Sequence, residues 1–380
     1  MEEKNETTEL QTTGRSRKRS GNKPVLPILL LLALIALILG LWYQRFGPSR
    51  THISENRLFG VQGDEVAVLY DYELQSDKGV LQNGSVYLPL SLVKREMNQR
   101  FYWDTDEKSL VYAAPDKVHT FTAEEVDTEG KPLFFVKEQG LYLSLPLLRE
   151  FTDVRTEAYT EGEVKRLFVE TAPKSDEVRA AKHKTVLRSR PSVRGSIVTV
   201  AAKAEALRVI PDHADAKTDA ARWVRVKTDS GFTGYVQQRS LRAAETVPYE
   251  NTFAAQDYGA LSLGGKVLLG FHLVSNQAAN QGLSTLAGNA SGMNVIVPTW
   301  FSLRGNEGDY QSYADRAYVE AAHEKGLKVF ALLDNFDKSV TTGELLKKTS
   351  VRKKLIDSLI ADADLYGFDG INVDLELIKQ

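Results

Sequence analysis

Asp374 and Glu376 are the residues whose types and spacing could do chemistry, because they stand two apart in the stretch Ile371–Glu376. Polar and apolar residues alternate strictly there, which predicts a β-strand with successive side chains on opposite faces. Asn372, Asp374 and Glu376 would share one face, with the Cα atoms of the two acids about 6.5–7 Å apart. Such a pair suits general acid catalysis, with Glu376 as the proton donor. A half-exposed surface strand would show the same alternation.

The segments before this strand predict the fold that positions it. Four apolar runs are candidate buried strands and two stretches with helical spacing are candidate helices: Lys266–Phe271, Met293–Thr299, Lys328–Leu333 and Ile371–Leu377, and Tyr310–Lys325 and Lys353–Tyr366. Strands that alternate with helices predict an α/β fold with a parallel sheet. Polar side chains aimed into such a fold are costly unless they do chemistry or are fully hydrogen-bonded. We therefore interpret the polar face of the fourth strand as a functional site.

The motif Asp369-Gly-x-Asn372-x-Asp374-x-Glu376 resembles the D-G-x-D-x-D-x-E signature of glycoside hydrolase family 18, which contains chitinases and related N-acetylglucosaminidases. The resemblance implies a (β/α)₈ barrel with this motif on its fourth strand. Asn372 departs from the Asp that many members carry. That departure is familiar in a bacterial branch that resembles spore-cortex and cell-wall hydrolases, and it leaves the acid Glu376 in place.

The resemblance also implies a mechanism and its residues. The nucleophile would be the 2-acetamido carbonyl of the substrate, with Asp374 orienting that group and Asp369 and Asn372 supporting Asp374 and the strand. No metal or cofactor would be needed. Two residues just past the second and third strands, Trp300 and Asn335, would lie at the substrate-binding mouth, although loop packing explains either of them equally well.

The predicted barrel segment is short. A (β/α)₈ barrel takes about 250 residues, whereas the segment 263–380 holds only the first four strands. We therefore expect the sequence to be part of a longer enzyme and inactive by itself. A free strand edge of this kind should also aggregate.

The N-terminal region predicts a membrane anchor. Residues 1–23 form a basic tail, and the apolar segment 24–43 is long enough to cross a ~30 Å hydrocarbon core. We favour an uncleaved signal anchor over a cleaved signal peptide, because no small-x-small cleavage site follows the apolar run. The excess of basic residues before the span predicts a single-pass protein of the cell membrane with a cytoplasmic N-terminus and an extracytoplasmic remainder.

Residues 44–58 are predicted to be a linker, and residues 59–173 a duplicated, small β-rich module. The stretch from Gly84 to Val93 returns in a similar form from Gly140 to Leu148, which indicates an internal repeat. The repeat loosely resembles a module first named from the N-terminus of copper amine oxidases. No copper ligands accompany it, so the resemblance implies a spacer or wall-contacting domain and no oxidase.

Residues 180–243 are predicted to form a small β-barrel, followed by a linker at 244–262. Its closing hairpin, W-x-x-V before G-x-x-G-Y-V, resembles that of bacterial SH3 domains, which often bind peptidoglycan peptides. Trp223 and Tyr235 could be ligand platforms or packing residues.

Composition narrows the function classes. The net charge of −2 does not favour nucleic acid as a partner, and the absence of cysteine excludes disulfides, thiolate metal sites and a Cys nucleophile. None of the six histidines has metal-ligand spacing. Two functions remain: a membrane-anchored glycosidase that cuts N-acetylglucosamine-containing glycan, and a non-catalytic wall-binding scaffold.

Overall fold

The structure is a computed structural model that describes residues 25–138, 140–211, 222–259, 262–289 and 291–376. The predicted basic tail therefore lies outside the described residues, as does Leu377 at the end of the predicted fourth strand. The chain divides into two compact units, Met1–Ser54 with Glu177–Glu245 and Glu55–Asp176 with Thr246–Gln380.

Helices and strands are numbered in chain order. The helices are α1 Val25–Phe46, α2 Glu55–Phe59, α3 Leu90–Leu92, α4 Leu145–Phe151, α5 Leu283–Asn289, α6 Arg316–Glu324, α7 Thr342–Lys347 and α8 Thr349–Tyr366. The strands are β1 Glu65–Tyr70, β2 Glu73–Gln82, β3 Ser85–Pro89, β4 Phe101–Asp104, β5 Ser109–Ala113, β6 Val118–Phe121, β7 Phe134–Lys137, β8 Gly140–Ser144, β9 Val154–Tyr159, β10 Lys165–Thr171, β11 Ser175–Ala181, β12 Thr185–Arg188, β13 Ile197–Ala201, β14 Ala206–Val209, β15 Trp223–Thr228, β16 Thr233–Gln237, β17 Leu241–Pro248, β18 Leu269–His272, β19 Val295–Pro298, β20 Phe301–Arg304, β21 Asp309–Ser312, β22 Lys328–Asp334 and β23 Gly370–Asp374.

The first unit begins with the apolar helix α1. Its segment Pro27–Phe46 has a mean hydropathy of 2.2, and none of that segment is buried against the rest of the chain. Length and composition fit a membrane span, and a signal sequence would share both features.

The rest of the first unit is a seven-stranded sheet in the order β13-β12-β16-β15-β14-β11-β17. Alternating apolar residues close its core, with Leu187, Val226 and Val236 fully buried. The segment after α1 joins this sheet, because Ser49 N donates to Val193 O at 2.9 Å and His52 forms a parallel bridge with Ile197. The predicted linker 44–58 is thus partly bound to the sheet, and the predicted linker 244–262 begins inside β17.

The second unit opens with a seven-stranded sheet in the order β7-β8-β3-β2-β1-β10-β9 and a three-stranded sheet, β4-β5-β6. The two halves of the sequence repeat meet here, because β3 and β8 pair antiparallel with Leu88 opposite Leu143. Each is followed directly by a helix, α3 and α4 respectively. The two repeated stretches therefore share a strand-then-helix order.

The same unit contains the strands that carry the predicted site. Their order is β18-β19-β22-β20-β21, with β23 paired to β22, and the β18–β19, β19–β22, β20–β22 and β22–β23 pairs are parallel. One face of the sheet packs against α6 and α8, in a core that includes Val329, Ala331 and Leu333. The other face carries a smaller apolar cluster around Val295, Val297 and Leu332.

The predicted helix over Tyr310–Lys325 is wrong in its first part. Asp309–Ser312 is the strand β21, which forms a hairpin with β20, and α6 starts only after Asp315. The Asp315 carboxylate accepts a hydrogen bond from Tyr318 N at 3.0 Å, a capping contact that fixes this helix start.

Candidate functional site

Strand β23 presents its polar residues on the face away from the helices. In the parallel ladder Asn372 lies beside Leu332 and Asp374 beside Asp334, whereas Ile371 lies beside Ala331 on the helix-packed face. Ile371 and Leu375 contact the helix-side core, but Val373, of the same parity, is 62% exposed. The polar side chains therefore stand above the small apolar cluster, near the carboxyl ends of the strands.

A row of polar side chains crosses three neighbouring strands at this level. Ser302 pairs with Asp334 across β20 and β22, and its hydroxyl donates to the Asp334 carboxylate at 2.9 Å. The same carboxylate accepts from Phe336 N at 3.1 Å and is buried. Asp374 continues the row on β23. Sequence reasoning missed Ser302 and Asp334; the one available indication was that Asp334 directly ends the third apolar run.

Asn335 holds the backbone of Glu376. Its Nδ2 donates to Glu376 O and to the Thr342 hydroxyl, and its Oδ1 accepts from Glu376 N at 2.9 Å. The β22–β23 ladder ends at Asp334 and Asp374, so the Asn335 side chain takes the position of the next rung. Asn335 is 9% exposed, and the structure gives it a positioning role; its contact with substrate stays a prediction.

The carboxylates of Asp374 and Glu376 remain open. Glu376 is exposed and Asp374 is half-buried, and neither carboxylate has a hydrogen-bond or salt-bridge partner within the described ranges. Two carboxyl groups at the ends of parallel strands, with no partner among the described residues, can exchange protons with a bound molecule or stabilise a developing positive charge.

Asp369 lies at the other end of β23. Its carboxylate hydrogen-bonds His323 Nε2 at 2.7 Å and accepts from Lys328 Nζ at 2.6 Å and Val329 N at 2.9 Å. Burial by itself would raise the pKa of Asp369, but these hydrogen bonds outweigh it and hold the pKa below its usual range. Asp369 thus ties the start of the strand to β22, in agreement with the expected support of the strand, while its support of Asp374 stays a prediction.

Trp300 is fully buried, so it presents no ring face on which a sugar could stack. Its Nε1 donates to Asn280 Oδ1 at 2.8 Å, and its ring lies 5.2 Å from that of Tyr318 and 6.2 Å from that of Phe368. The alternative that the sequence left open, packing, is what this structure displays.

The sheet of the first unit carries a cleft of about 680 Å³. Trp223 is 8% exposed and is one of the residues that line the cleft. Tyr235 pairs with Arg225 on β15 and with Arg188 on β12. The cleft-lining residues are Pro191, Ser192, Val193, Arg222, Trp223, Gln237 and Arg239. Trp223 is therefore placed to touch a ligand in this cleft, and Tyr235 is not among its lining residues.

Comparisons with known proteins identify one part of the chain. The family described as bacterial SH3 domain matches residues 184–242, which confirms the SH3 prediction for that region. No match supports the resemblance of the 59–173 repeat to the amine-oxidase module, which stays a prediction. No curated protein matches the chain.

Among solved structures, the matches are partial. A chitinase from Chromobacterium violaceum matches with 16% identity over 30% of this chain and 36% of that one, at a TM-score of 0.25. The Bacillus cereus spore cortex-lytic enzyme SleL matches with 14% identity over 29% and 28%, at 0.26. A chitinase from Bacteroides thetaiotaomicron matches with 19% identity over 30% and 37%, at 0.25. The chain therefore spans about a third of the length of the solved structures it resembles.

Proposed function

We propose that the protein is a membrane-anchored extracytoplasmic glycoside hydrolase of the family 18 type, which acts on N-acetylglucosamine-containing glycan. The observation that carries this proposal is the pair of open carboxylates, Asp374 and Glu376, at the carboxyl end of β23. The protein holds the backbone of Glu376 through Asn335 but leaves its carboxylate without a partner among the described residues. A fixed backbone with a free acid is the arrangement that general acid catalysis needs.

The proposal includes the fold. Strands β18, β19, β22 and β23 are parallel neighbours, and they are the first four strands of a (β/α)₈ barrel in this proposal. Barrel enzymes carry their catalytic groups at the carboxyl ends of the strands, which is where Asp374 lies. The segment 263–380 is then the catalytic domain, preceded by the anchor, the duplicated module and the SH3 domain.

The proposed reaction uses the substrate as its own nucleophile, an exception to the two-carboxylate scheme. Glu376 gives its proton to the glycosidic oxygen while the 2-acetamido carbonyl oxygen forms a bond to the anomeric carbon and the glycosidic bond breaks. Asp374 stabilises the positive charge of the resulting oxazolinium ion. Water then attacks the anomeric carbon, gives a proton back to Glu376 and restores the acetamido group with retained configuration.

Location favours cell-wall glycan over free chitin. The helix α1 would anchor the chain, with the basic residues before it on the cytoplasmic side. The SH3 domain at 184–242 would then lie outside the membrane, on the same side as the wall. Peptidoglycan or spore cortex is therefore the proposed substrate class.

Hydrolysis of N-acetylglucosamine oligomers by the full-length protein tests the proposal. Glu376→Gln keeps the side-chain shape but removes the donated proton, so kcat should fall roughly 10²–10⁴-fold while substrate binding persists. A matched glycan without 2-acetamido groups should not be cut, because the nucleophile belongs to that group. Equal cleavage of the de-acetylated glycan would overturn the substrate-assisted mechanism. Binding of the acetylated glycan without any cleavage would instead support a non-catalytic scaffold.

A further inference from the structure

Charge is distributed unevenly along the chain. The segment 177–245 contains fourteen lysine and arginine residues and seven aspartate and glutamate residues, a formal charge of +7, whereas the whole chain carries −2. The SH3-containing region is therefore basic, and the remainder of the chain is acidic. A region with this charge attracts anionic partners within about a Debye length, ~8 Å at physiological salt.

The exposed turn between β12 and β13 is bound directly to the residues that follow α1. Ser49 N donates to Val193 O at 2.9 Å, Ile197 N donates to Thr51 O at 2.8 Å, and Ile53 N donates to Ile197 O at 2.9 Å. These main-chain contacts form a short strand-like seam. The turn is consequently held beside the end of the apolar helix.

A buried arginine reinforces this seam. The Arg188 guanidinium donates through Nη1 to Ser49 O at 3.2 Å and to Gly195 O at 2.7 Å. Burial lowers the pKa of Arg188 from its usual value. The two hydrogen bonds to carbonyl oxygens partly replace the water that the buried guanidinium has lost. The side chain therefore links the post-helix segment to the turn itself.

Four exposed arginines stand on the two segments that the seam joins. Arg45 is in the last turn of α1 and Arg50 lies just after it, while Arg190 and Arg194 stand on the bound turn. Arg50 donates to the Tyr43 hydroxyl at 3.2 Å, and Arg190 contacts the carbonyl of Arg194 at 3.5 Å. In the ranges that the structure describes, no carboxylate pairs with any of the four.

We propose that these four arginines bind the phosphate groups of anionic phospholipids, at the membrane surface from which α1 emerges. The inference rests on the membrane anchor of the proposed function. Ser49 follows the end of α1 at Phe46 by three positions, a reach of at most about 10 Å. The headgroup layer extends roughly 5–8 Å beyond the hydrocarbon core on each side. The turn that carries Arg190 and Arg194 is thus within reach of the headgroup layer.

The position of the SH3 cleft agrees with this orientation. Pro191, Ser192 and Val193 line the cleft and belong to the same turn that is bound to Ser49. Lipid docking therefore sets this edge of the cleft against the bilayer. Wall peptide is the competing occupant, and it would need the cleft turned away from the bilayer.

Site-directed fluorescence in the intact chain tests the proposal, and the absence of native cysteine makes single-site labelling clean. An environment-sensitive dye is placed at Val193→Cys on the turn, or at Ala202→Cys beyond the far end of β13, ~16 Å along the strand. The protein is reconstituted into nanodiscs that carry a headgroup-attached quencher, with or without phosphatidylglycerol. We expect strong quenching at position 193, only with the anionic lipid, and weak quenching at position 202.

Charge variants supply the decisive comparison. Arg190→Gln with Arg194→Gln should lower the ratio of docked to undocked protein roughly thirty-fold, because each basic residue near an anionic surface contributes about fivefold. Lys203→Gln with Arg242→Gln removes the same charge elsewhere on the domain, from exposed sites, and should leave quenching almost unchanged. Raised salt should lower quenching at position 193, as the Arg190/Arg194 double variant does. Thermal melts of both double variants check that the fold is kept.

Several results would overturn the lipid assignment. Equal quenching at position 193 in neutral and anionic discs would do so, as would equal quenching at positions 193 and 202. Reversal of quenching by peptidoglycan fragments, with no effect of the Arg190/Arg194 pair, would assign the surface to wall material. Failure of the chain to float with vesicles would refute the membrane anchor of the proposed function. Flotation without quenching at position 193 would refute only the lipid contact.

Discussion

The two ends of strand β23 carry the same kind of side chain and treat it in opposite ways. At the start of the strand, the Asp369 carboxylate has three hydrogen-bond partners, and its pKa is held below the usual range. At the end of the strand, the carboxylates of Asp374 and Glu376 have no hydrogen-bond partner among the residues that the structure describes. All three belong to the motif that the sequence singled out.

This difference separates structural acids from reactive ones. A carboxylate whose lone pairs are filled by protein donors stabilises the fold and has little capacity left for a ligand. A carboxylate that the fold positions but leaves unpaired can use its lone pairs and charge to bind and stabilise a ligand. Spacing in the sequence cannot make this distinction, because Asp369, Asp374 and Glu376 match one continuous pattern.

The largest expected effect comes from replacing one acid of each kind with its uncharged amide. In the full-length enzyme, Asp374→Asn should lower kcat by roughly 10²–10³-fold, because the oxazolinium ion loses the anion that stabilises it. The matched substitution Asp369→Asn should leave kcat nearly unchanged at a temperature where the protein stays folded. Steady-state kinetics on N-acetylglucosamine oligomers measure both. A loss of kcat in Asp369→Asn as large as that in Asp374→Asn would refute the division of roles.

The second effect concerns the residue that holds the reactive end. Asn335→Ala removes both hydrogen bonds to the Glu376 backbone, and displacement of a catalytic group by about 1 Å can cost up to 10²-fold. We expect kcat to fall roughly 10–100-fold, with KM almost unchanged, because the Asn335 amide is bound to the Glu376 backbone and to Thr342. Thr342→Val is the control, since it removes only the bond from Asn335 Nδ2 to the Thr342 hydroxyl. A rise in KM at constant kcat would restore the substrate-binding role.

Much of the reactive end could be predicted from the sequence. The alternation around Asp374 is visible because β23 has one apolar and one polar face, with Ile371 and Leu375 packed on the helix-side core. Ser302 and Asp334 were not predictable in the same way, because each is a single polar residue beside an apolar run. Their meaning comes from the β20–β22 register, which joins them across 32 positions of the chain.

The role of Asn335 could not be predicted from any sequence pattern. Its partners are backbone atoms of Glu376, and every residue type has the same backbone groups. Trp300 shows the converse limit. A tryptophan at a strand end is typical both of a sugar platform and of a core residue, and only its burial in the structure separates the two.

The third effect concerns stability at the start of the strand. Asp369→Asn should lower the free energy of unfolding of the surrounding region by about 1–3 kcal/mol, since hydrogen bonds to a charged group are weakened or lost. The folded-state pKa of Asp369 is lowered, so its contribution is complete above the unfolded pKa of about 3.9 and is lost as pH falls through the folded value. The difference between wild type and variant should therefore be full at pH 6–7 and shrink below about pH 4. A difference independent of pH would show that the carboxylate charge is not what stabilises this end.

The smallest expected effect tests whether this anchoring reaches beyond the strand. The end of β4 and the turn after it hold the start of α8, the helix that leads into β23. Asp104, the last residue of β4, accepts from Thr349 N at 2.7 Å and from the Thr349 hydroxyl. The exposed Glu107 carboxylate accepts from Ser350 N at 3.1 Å and from the Ser350 hydroxyl. Two carboxylates at a helix N-terminus also complement its positive dipole end.

Glu107→Gln keeps the shape of this contact and removes its charge, so it should weaken the first turn of α8 by only about 0.3–1 kcal/mol. Amide hydrogen exchange over Thr349–Tyr366 can detect that change, where a global melt of a chain with several units would blur it. Glu124→Gln is the matched control, because Glu124 is an equally exposed carboxylate away from any helix terminus and should leave α8 unaffected. If Glu107→Gln speeds exchange in α8 and leaves kcat unchanged, the anchoring at the start of β23 extends through α8 into the module. If instead it lowers kcat as strongly as Asn335→Ala, the two ends of the strand are coupled, and the separation into structural and reactive acids would have to be abandoned.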